Sequence, residues 1–127
     1  GAFGRKGKAG ILTARKASLG QPHFDGCGIR DIPLAIAGMD DSPEFTRVFL
    51  RWGEGSGGEA PLDPDRAERE LAEAARGLVA KDPDIRFIVL ECTNMPPFRR
   101  AIQEACGRPV YDIVTLACYM HSGLIQA

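Results

Sequence analysis

The most constraining feature of this sequence is a short apolar run inside the segment IRFIVLE (85–91). Residues 87–90 read FIVL without a polar interruption. Continuous apolar runs of this kind are typical of strands that are covered on both faces, as in a parallel sheet. We therefore predict a buried strand at 85–91.

Three further segments have the composition of strands. They are KAGILT (8–13), IPLAIAG (32–38) and RPVYDIV (108–114). The last opens at Pro109, which is tolerated at the start of a strand. The chain therefore supplies four predicted strands, of which the segment 85–91 is the most convincing.

A helical pattern separates the second and third predicted strands. In LDPDRAERELAEAARGLVAKDP, Asp63 is an N-cap, Pro64 fits the first helical position, and Pro83 prevents continuation. The helix carries an apolar stripe on one face: Leu71, Ala75, Leu78 and Val79. This segment is predicted to be an amphipathic helix that covers the sheet.

The remaining chain contains weaker helical and loop patterns. PPFRRAIQEACG (96–107) predicts a helix that starts at prolines and stops at a glycine, and residues 115–126 predict another. Residues 53–61 have the composition of a flexible loop, and 14–31 has room for a short helix among its glycines. Strands that alternate with helices indicate a single α/β domain with a mainly parallel sheet flanked by helices.

Composition limits the partners of the chain. Its 127 residues suit one domain, with 44% hydrophobic and 26% charged residues. A formal net charge of −1 gives no electrostatic reason to expect nucleic acid as a partner. No apolar run approaches the roughly 20 residues of a membrane span. The sequence therefore predicts a cytoplasmic protein that binds neither nucleic acid nor a membrane.

Of the four cysteines, Cys92 is the candidate for a reactive thiol. The chain has four cysteines but no C-x-x-C pair, and His23 and His121 stand alone, so a metal site is not predicted. Cys92 follows the buried strand, where ligands bind in open parallel sheets, and leads into a predicted helix start that favours a thiolate. The alternative is a cysteine that only fills space. Thr93 and Asn94 either bind a ligand or cap the helix.

Three segments carry a resemblance to a known family. IRFIVLECTNMPPFRRAIQEACGRPVYDIVTL resembles the C-terminal part of the aspartate/glutamate racemase superfamily, which includes hydantoin racemases and maleate isomerases. GKAGILTA resembles the strand that opens the second lobe of that family, and DPDRAERELAEAARGLVAKDPDI resembles its long helix. The resemblance implies that residues 1–127 are the second, C-terminal lobe of a two-lobed fold, without the first lobe.

The same resemblance implies a function. The expected protein is a cofactor-independent racemase or isomerase of a small carboxylic or amino acid, with Cys92 as the catalytic acid or base. Thr93, Asn94 and Thr13 are the expected substrate-binding residues. A two-base exchange needs a second cysteine from the first lobe, so this chain is expected to be inactive alone. Two alternatives remain: a catalytically silent binding or assembly module, and a maleate-type cis-trans isomerase with a nucleophilic cysteine.

The closing helix is rich in apolar positions. These are Ile113, Leu116, Met120, Leu124 and Ile125. We predict that some of them form an exposed patch and that the chain forms a homo-oligomer through it. The alternative is that the helix folds back on its own sheet and buries the stripe.

Overall fold

The fold is built on a four-stranded parallel sheet. A computed structural model describes residues 7–50 and 61–126, without the side chain of Gln126. The strands are β1 (Lys8–Thr13), β2 (Leu34–Gly38), β3 (Ile85–Leu90) and β4 (Val110–Tyr111). Their spatial order is β2-β1-β3-β4, and every pairing between neighbours is parallel. The predicted α/β fold with a parallel sheet is confirmed.

Helical segments connect these strands or follow the last of them. They are α1 (Gln21–Gly26), α2 (Pro43–Phe45), α3 (Pro64–Lys81), α4 (Arg99–Cys106) and α5 (Ile113–Gln126). Short 3-10 turns lie at Lys16–Ser18 and Pro96–Phe98, and a π-helical turn at Thr46–Leu50 continues α2. The order strand, helix, strand along the chain places helices over the sheet, because parallel neighbours need crossover connections.

Local sequence signals explain why α3 forms where it does. The Asp63 carboxylate accepts hydrogen bonds from the backbone N–H groups of Asp65 (3.1 Å) and Arg66 (3.2 Å). These bonds satisfy donors that the first helical turn otherwise leaves without a partner. Four side chains on one stripe of α3 are buried: Ala67, Leu71, Ala75 and Leu78.

The main core lies between the sheet and the pair α3 and α4. Leu12 and Ile88 of the sheet and Ile102 of α4 are fully buried in one cluster with the stripe of α3. A glycine allows the close approach. A Cβ atom at Gly10 would lie 3.3 Å from Leu78 Cδ2 and 3.2 Å from Ile85 Cγ2, which is tighter than an ordinary contact.

The opposite face of the sheet is less well covered. Phe87 and Val89 are half-buried there, and the Tyr111 side chain is 52% exposed. The Phe87 and Tyr111 rings meet edge to face with centroids 5.9 Å apart. Parallel sheets normally have both faces covered. In the part of the chain that the structure describes, this second face is therefore incomplete.

The predicted strand at 108–114 is too long. Only Val110–Tyr111 is strand, because Asp112 ends it by capping α5. One carboxylate oxygen of Asp112 accepts from the Thr115 N–H (2.8 Å), and Thr115 Oγ1 accepts from the Asp112 N–H (2.9 Å). This reciprocal pair is a capping box, which starts a helix two residues earlier than the predicted 115.

Three other predicted boundaries shift, and one lies outside the described residues. β2 begins at Leu34 rather than 32, and the helix predicted at 96–107 opens with a 3-10 turn before α4. The short helix allowed within 14–31 is α1. Of the predicted loop at 53–61, residues 53–60 are not described.

A carboxylate network that the sequence did not predict joins α2 to α3. The Glu70 carboxylate accepts from the backbone N–H groups of Glu44 (2.9 Å) and Phe45 (2.8 Å). Glu44 is itself only 3% exposed, and its carboxylate pairs with the Arg47 guanidinium. The hydrogen bond from Arg47 holds the pKa of Glu44 below its ordinary value.

Candidate functional site

The carboxyl ends of β1, β2 and β3 meet at one edge of the sheet, where open α/β folds bind ligands. Gly38 makes this edge compact. A Cβ atom at that position would lie 2.7 Å from the backbone nitrogen of Lys16, so only glycine fits without a shift. The Lys16 N–H also donates to Asp40 Oδ2 at 3.1 Å, which holds the segment after β1 beside the end of β2.

Thr13 is buried at this edge and holds the side chain of Glu91, the residue before Cys92, in place. Its side chain is 3% exposed. Thr13 Oγ1 donates a 2.8 Å hydrogen bond to Glu91 Oε2, and the Glu91 N–H donates to the Leu12 carbonyl at 3.0 Å. The predicted substrate-binding residue Thr13 therefore lies at the site, with its hydroxyl already committed to a protein carboxylate.

Cys92 lies at the start of a tight turn just beyond β3. It is half-buried and packs partly against the main core. Asn94 Nδ2 lies 3.7 Å from Cys92 Sγ as a donor to sulfur, and the Met95 N–H donates to the Cys92 carbonyl at 3.1 Å. A side-chain donor aimed at the sulfur stabilises a thiolate more than a thiol.

Thr93 and Asn94 are both exposed on this turn. Among the described residues, their backbone N–H groups have no acceptor. Backbone N–H groups without an acceptor in a turn are available to bind an anion. The structure thus brings Cys92, Thr93 and Asn94 together, with Thr13 reaching them through Glu91.

The expected helix N-terminus at Cys92 needs a correction. α4 begins only at Arg99, after the turn and the 3-10 segment Pro96–Phe98. Pro96 and Pro97 also lack N–H groups, so the start of the 3-10 segment offers no backbone donors at those two positions. The donors near Cys92 therefore come from its own turn.

The other cysteines lie elsewhere. Cys106 is buried at the end of α4, and its thiol is 3.9 Å from the Gln103 carbonyl oxygen. Cys27 follows α1 and Cys118 lies within α5, both exposed. All four cysteines are free thiols.

A cavity of about 610 Å³ opens beside the same edge of the sheet. It is bounded by the ends of β3 and β4 and by the first half of α5, with mostly apolar walls. Its residues are Val89, Leu90, Glu91, Tyr111, Asp112, Ile113, Thr115, Leu116 and Tyr119. Sequence reasoning missed Glu91 and Asp112 as site residues, and the only signal was the position of each immediately after a predicted strand.

Two properties of the described residues bear on the class of site. Across 7–50 and 61–126, no group of three or more His, Cys, Asp or Glu side chains is arranged to hold a metal ion. None of the helices described combines the length and apolarity needed to cross a bilayer.

Sequence comparison finds relatives of this chain among known proteins. The chain is 32% identical over 130 residues to a protein of Durusdinium sp. clade D, covering 98% of this chain and 40% of that protein. It is 37% identical over 87 residues to a protein of Emiliania huxleyi, covering 68% of this chain and 16% of that protein. A second Emiliania huxleyi protein is 27% identical over 95% of this chain.

These relatives are named dimethylsulfoniopropionate lyases. The chain spans about 40% of the length of the Durusdinium lyase. No protein-family model matches the chain, and no solved structure gives a significant match.

The lyases overturn the expected function. The predicted membership of the aspartate/glutamate racemase superfamily is wrong, because the relatives are lyases. The predicted racemase or isomerase activity is wrong for the same reason. A silent assembly module and a maleate-type isomerase fit the lyase relatives no better.

Proposed function

We propose that this chain is part of a lyase that cleaves dimethylsulfoniopropionate, with Cys92 as the base. The observation that carries the proposal is the position of Cys92 at the carboxyl edge of the sheet, with the Asn94 amide 3.7 Å from its sulfur and two N–H groups without acceptors in the same turn. The names of the relatives supply the substrate and the reaction class.

The chemistry of the substrate suits a single base. Dimethylsulfoniopropionate carries a carboxylate at one end and a positively charged sulfonium at the other, two carbons away. The Cys92 thiolate removes a proton from the carbon next to the carboxylate and becomes a thiol. The released electron pair forms a carbon–carbon double bond, and the carbon–sulfur bond breaks with its electrons on sulfur. The products are acrylate and neutral dimethyl sulfide.

The turn after Cys92 supports this step. Removal of the proton develops negative charge on the substrate carboxylate, and fixed donors lower the cost of that charge. The backbone N–H groups of Thr93 and Asn94 lie in the turn after Cys92, and the Asn94 amide is 3.7 Å from the Cys92 sulfur, so this turn supplies such donors in our proposal. Unlike a two-base exchange, elimination needs no second cysteine on the opposite face of the carbon.

The test uses the protein expressed from the full reading frame that contains this chain. Dimethyl sulfide released from dimethylsulfoniopropionate is measured by headspace gas chromatography. Cys92→Ser and Cys92→Ala should lower kcat by at least about a hundredfold, as loss of a general base does. Cys118→Ser, which changes an exposed cysteine on α5, is the matched control and should keep full activity. Substantial activity in Cys92→Ala would rule out the proposed base.

The partial coverage of the relatives bears on assembly. We infer that residues 1–127 form one α/β domain of a longer protein and that the distal half of α5 is a contact surface. Met120, Leu124 and Ile125 are 62%, 76% and 70% exposed. The predicted exposed patch is confirmed, and burial of the stripe on the chain's own sheet is not observed. Self-association through this surface, and the cytoplasmic location, remain proposals.

Sedimentation of the 127-residue chain tests the contact surface. Burial of an exposed apolar patch favours association, so the chain should form dimers or larger species at micromolar concentration. Leu124→Glu should shift it to monomers, whereas His121→Glu, an exposed polar position of the same helix, should not. A monomeric parent chain would argue against self-association.

A further inference from the structure

The cavity beside Glu91 combines apolar walls with two carboxylates. Glu91 and Asp112 lie at the ends of adjacent strands, and the remaining lining side chains are aliphatic, aromatic or threonine. A pocket with mostly apolar walls and few polar groups is the usual form of a small-molecule site. Two carboxylates in one cavity favour a cationic occupant over an anionic one.

Asp112 has a carboxylate oxygen that the described residues leave without a partner. The residue is 6% exposed, and one carboxylate oxygen is occupied by the Thr115 N–H. The other, Oδ2, is buried without a hydrogen-bond partner among the described residues. A buried carboxylate oxygen without a donor is costly and leaves negative potential in its surroundings. Because Asp112 lines the cavity, a cation there would offset that potential.

Glu91 brings a second carboxylate into the same cavity, and its position is held. The hydrogen bond from buried Thr13 fixes Oε2 at 2.8 Å. Carboxylates accept through both oxygens, so one such bond leaves capacity for another interaction. The two carboxylates enter the cavity from neighbouring strand ends, β3 and β4.

The walls determine what kind of cation fits. The rings of Tyr111 and Tyr119 lie on the rim of the cavity, 52% and 79% exposed, and Ile113 and Leu116 complete the apolar surface. Aromatic faces attract cations, most strongly those with little hydration. The mostly apolar walls favour a cation with little hydration, and the described residues contain no cluster able to hold a metal ion. A cation covered by methyl groups suits both properties.

We propose that this cavity binds the dimethylsulfonium group of the substrate, with Glu91 and Asp112 as its counter-charges. The proposal rests on the proposed lyase function. Glu91 lines the cavity and directly precedes Cys92 in the chain, and Cys92 itself does not line the cavity. The substrate then lies across the edge of the sheet. Its carboxylate faces the Thr93–Asn94 turn, its sulfonium enters the cavity, and the carbon that loses the proton lies between them.

The test uses trimethylsulfonium, which carries the cationic group without the carboxylate. It should competitively inhibit dimethyl sulfide release by the full-length protein, and its binding should be measurable by calorimetry. Glu91→Gln and Asp112→Asn should each weaken binding by about tenfold, because each removes one charge. Both keep local structure, since Gln still accepts from Thr13 and Asn is a good N-cap. Tyr119→Ala, at an exposed position, should weaken binding without a change in folding.

Matched controls separate charge from shape. Glu73→Gln removes an exposed charge from α3, away from the cavity, and should leave trimethylsulfonium binding unchanged. Tert-butanol has a similar apolar shape without charge. Inhibition by tert-butanol as strong as that by trimethylsulfonium would overturn the proposal, as would unchanged binding in both Glu91→Gln and Asp112→Asn.

The inference and the lyase function can fail separately. If the protein releases dimethyl sulfide but the KM of Glu91→Gln and Asp112→Asn is normal, the sulfonium site is wrong and the lyase function stands. If no dimethyl sulfide is released but trimethylsulfonium binds and both variants weaken it, the cationic site stands and the lyase function fails.

Discussion

Thr13 and Glu91 are joined by a 2.8 Å hydrogen bond that links the ends of β1 and β3 immediately before Cys92. The two residues are 78 positions apart in the chain. Through this bond the buried Thr13 hydroxyl holds the Glu91 carboxylate, which lines the cavity, in position. It therefore couples the packing of the central strand to the electrostatics of the candidate site.

Removal of that hydroxyl should affect both stability and substrate binding. Thr13→Val keeps the shape of the side chain but leaves Glu91 without its donor. We expect a loss of about 1–2 kcal/mol in the free energy of unfolding and a raised KM for dimethylsulfoniopropionate. Urea denaturation and initial-rate kinetics measure the two effects. Thr13→Ser restores a hydroxyl and should retain most of the wild-type KM; an equal rise in both variants would show that the bond does not position Glu91.

Reactivity of Cys92 should respond to ligand. We expect Cys92 to react with iodoacetamide at neutral pH faster than the other three cysteines, because donors in its turn stabilise the thiolate. Acrylate, the expected product, should slow labelling of Cys92 alone. Cys27 and Cys118 are exposed and serve as internal controls in the same sample, read by peptide mass spectrometry. Equal protection of all three, or none at Cys92, would contradict a ligand site at this turn.

The Glu44–Arg47 pair should make the free energy of unfolding depend on pH in the acid range. The pKa of the Glu44 carboxyl is lowered in the folded state from an ordinary value of 4.5, chiefly by the hydrogen bond from Arg47. A folded-state pKa below the unfolded one stabilises the protein above about pH 4.5, and this contribution is lost as pH falls through the folded value. Urea denaturation from pH 7 to pH 3 measures it. Glu44→Gln should flatten the decline, whereas Glu104→Gln, at an exposed site on α4, should not.

Two glycines should respond oppositely to the same change. Gly10→Ala places a Cβ between β1 and α3 at 3.2–3.3 Å from three side chains, so we expect a loss of about 1–3 kcal/mol. Gly77→Ala lies within α3 with nothing within 4 Å, so we expect a gain of about 0.5–1 kcal/mol from helix propensity. Thermal and urea denaturation compare them. Destabilisation by Gly77→Ala would mean that α3 packs against something on that side.

The expected reaction was wrong for a chemical reason that the residues around Cys92 cannot reveal. Racemisation and elimination from a β-substituted acid both begin with removal of a proton next to a carboxylate. A thiol beside oriented donors suits either step. The difference lies at the neighbouring carbon, where elimination needs a leaving group, and the cavity that we propose for that group is built from residues outside the Cys92 turn.

The sequence by itself determined the elements whose signals are local. The cap at Asp63, the proline at Pro64 and the apolar stripe define α3, and the FIVL run defines β3, because each depends on residues near in the chain. Together with the other alternating strand and helix patterns, these elements predict an α/β fold with a parallel sheet. The placement of Cys92 at the carboxyl edge follows from the same pattern.

Only the tertiary structure decided which distant residues bond Glu91 and line the cavity. Thr13 reaches Glu91 because β1 and β3 pair in parallel, and Asp112 faces the cavity because capping α5 stops β4 after two residues. Neither contact produces a periodic pattern of residues in the sequence from which it could be predicted. A hydrogen bond between strand ends depends on the register of the sheet, and a cavity depends on the direction in which a helix leaves it; both are set by the packing of the whole domain.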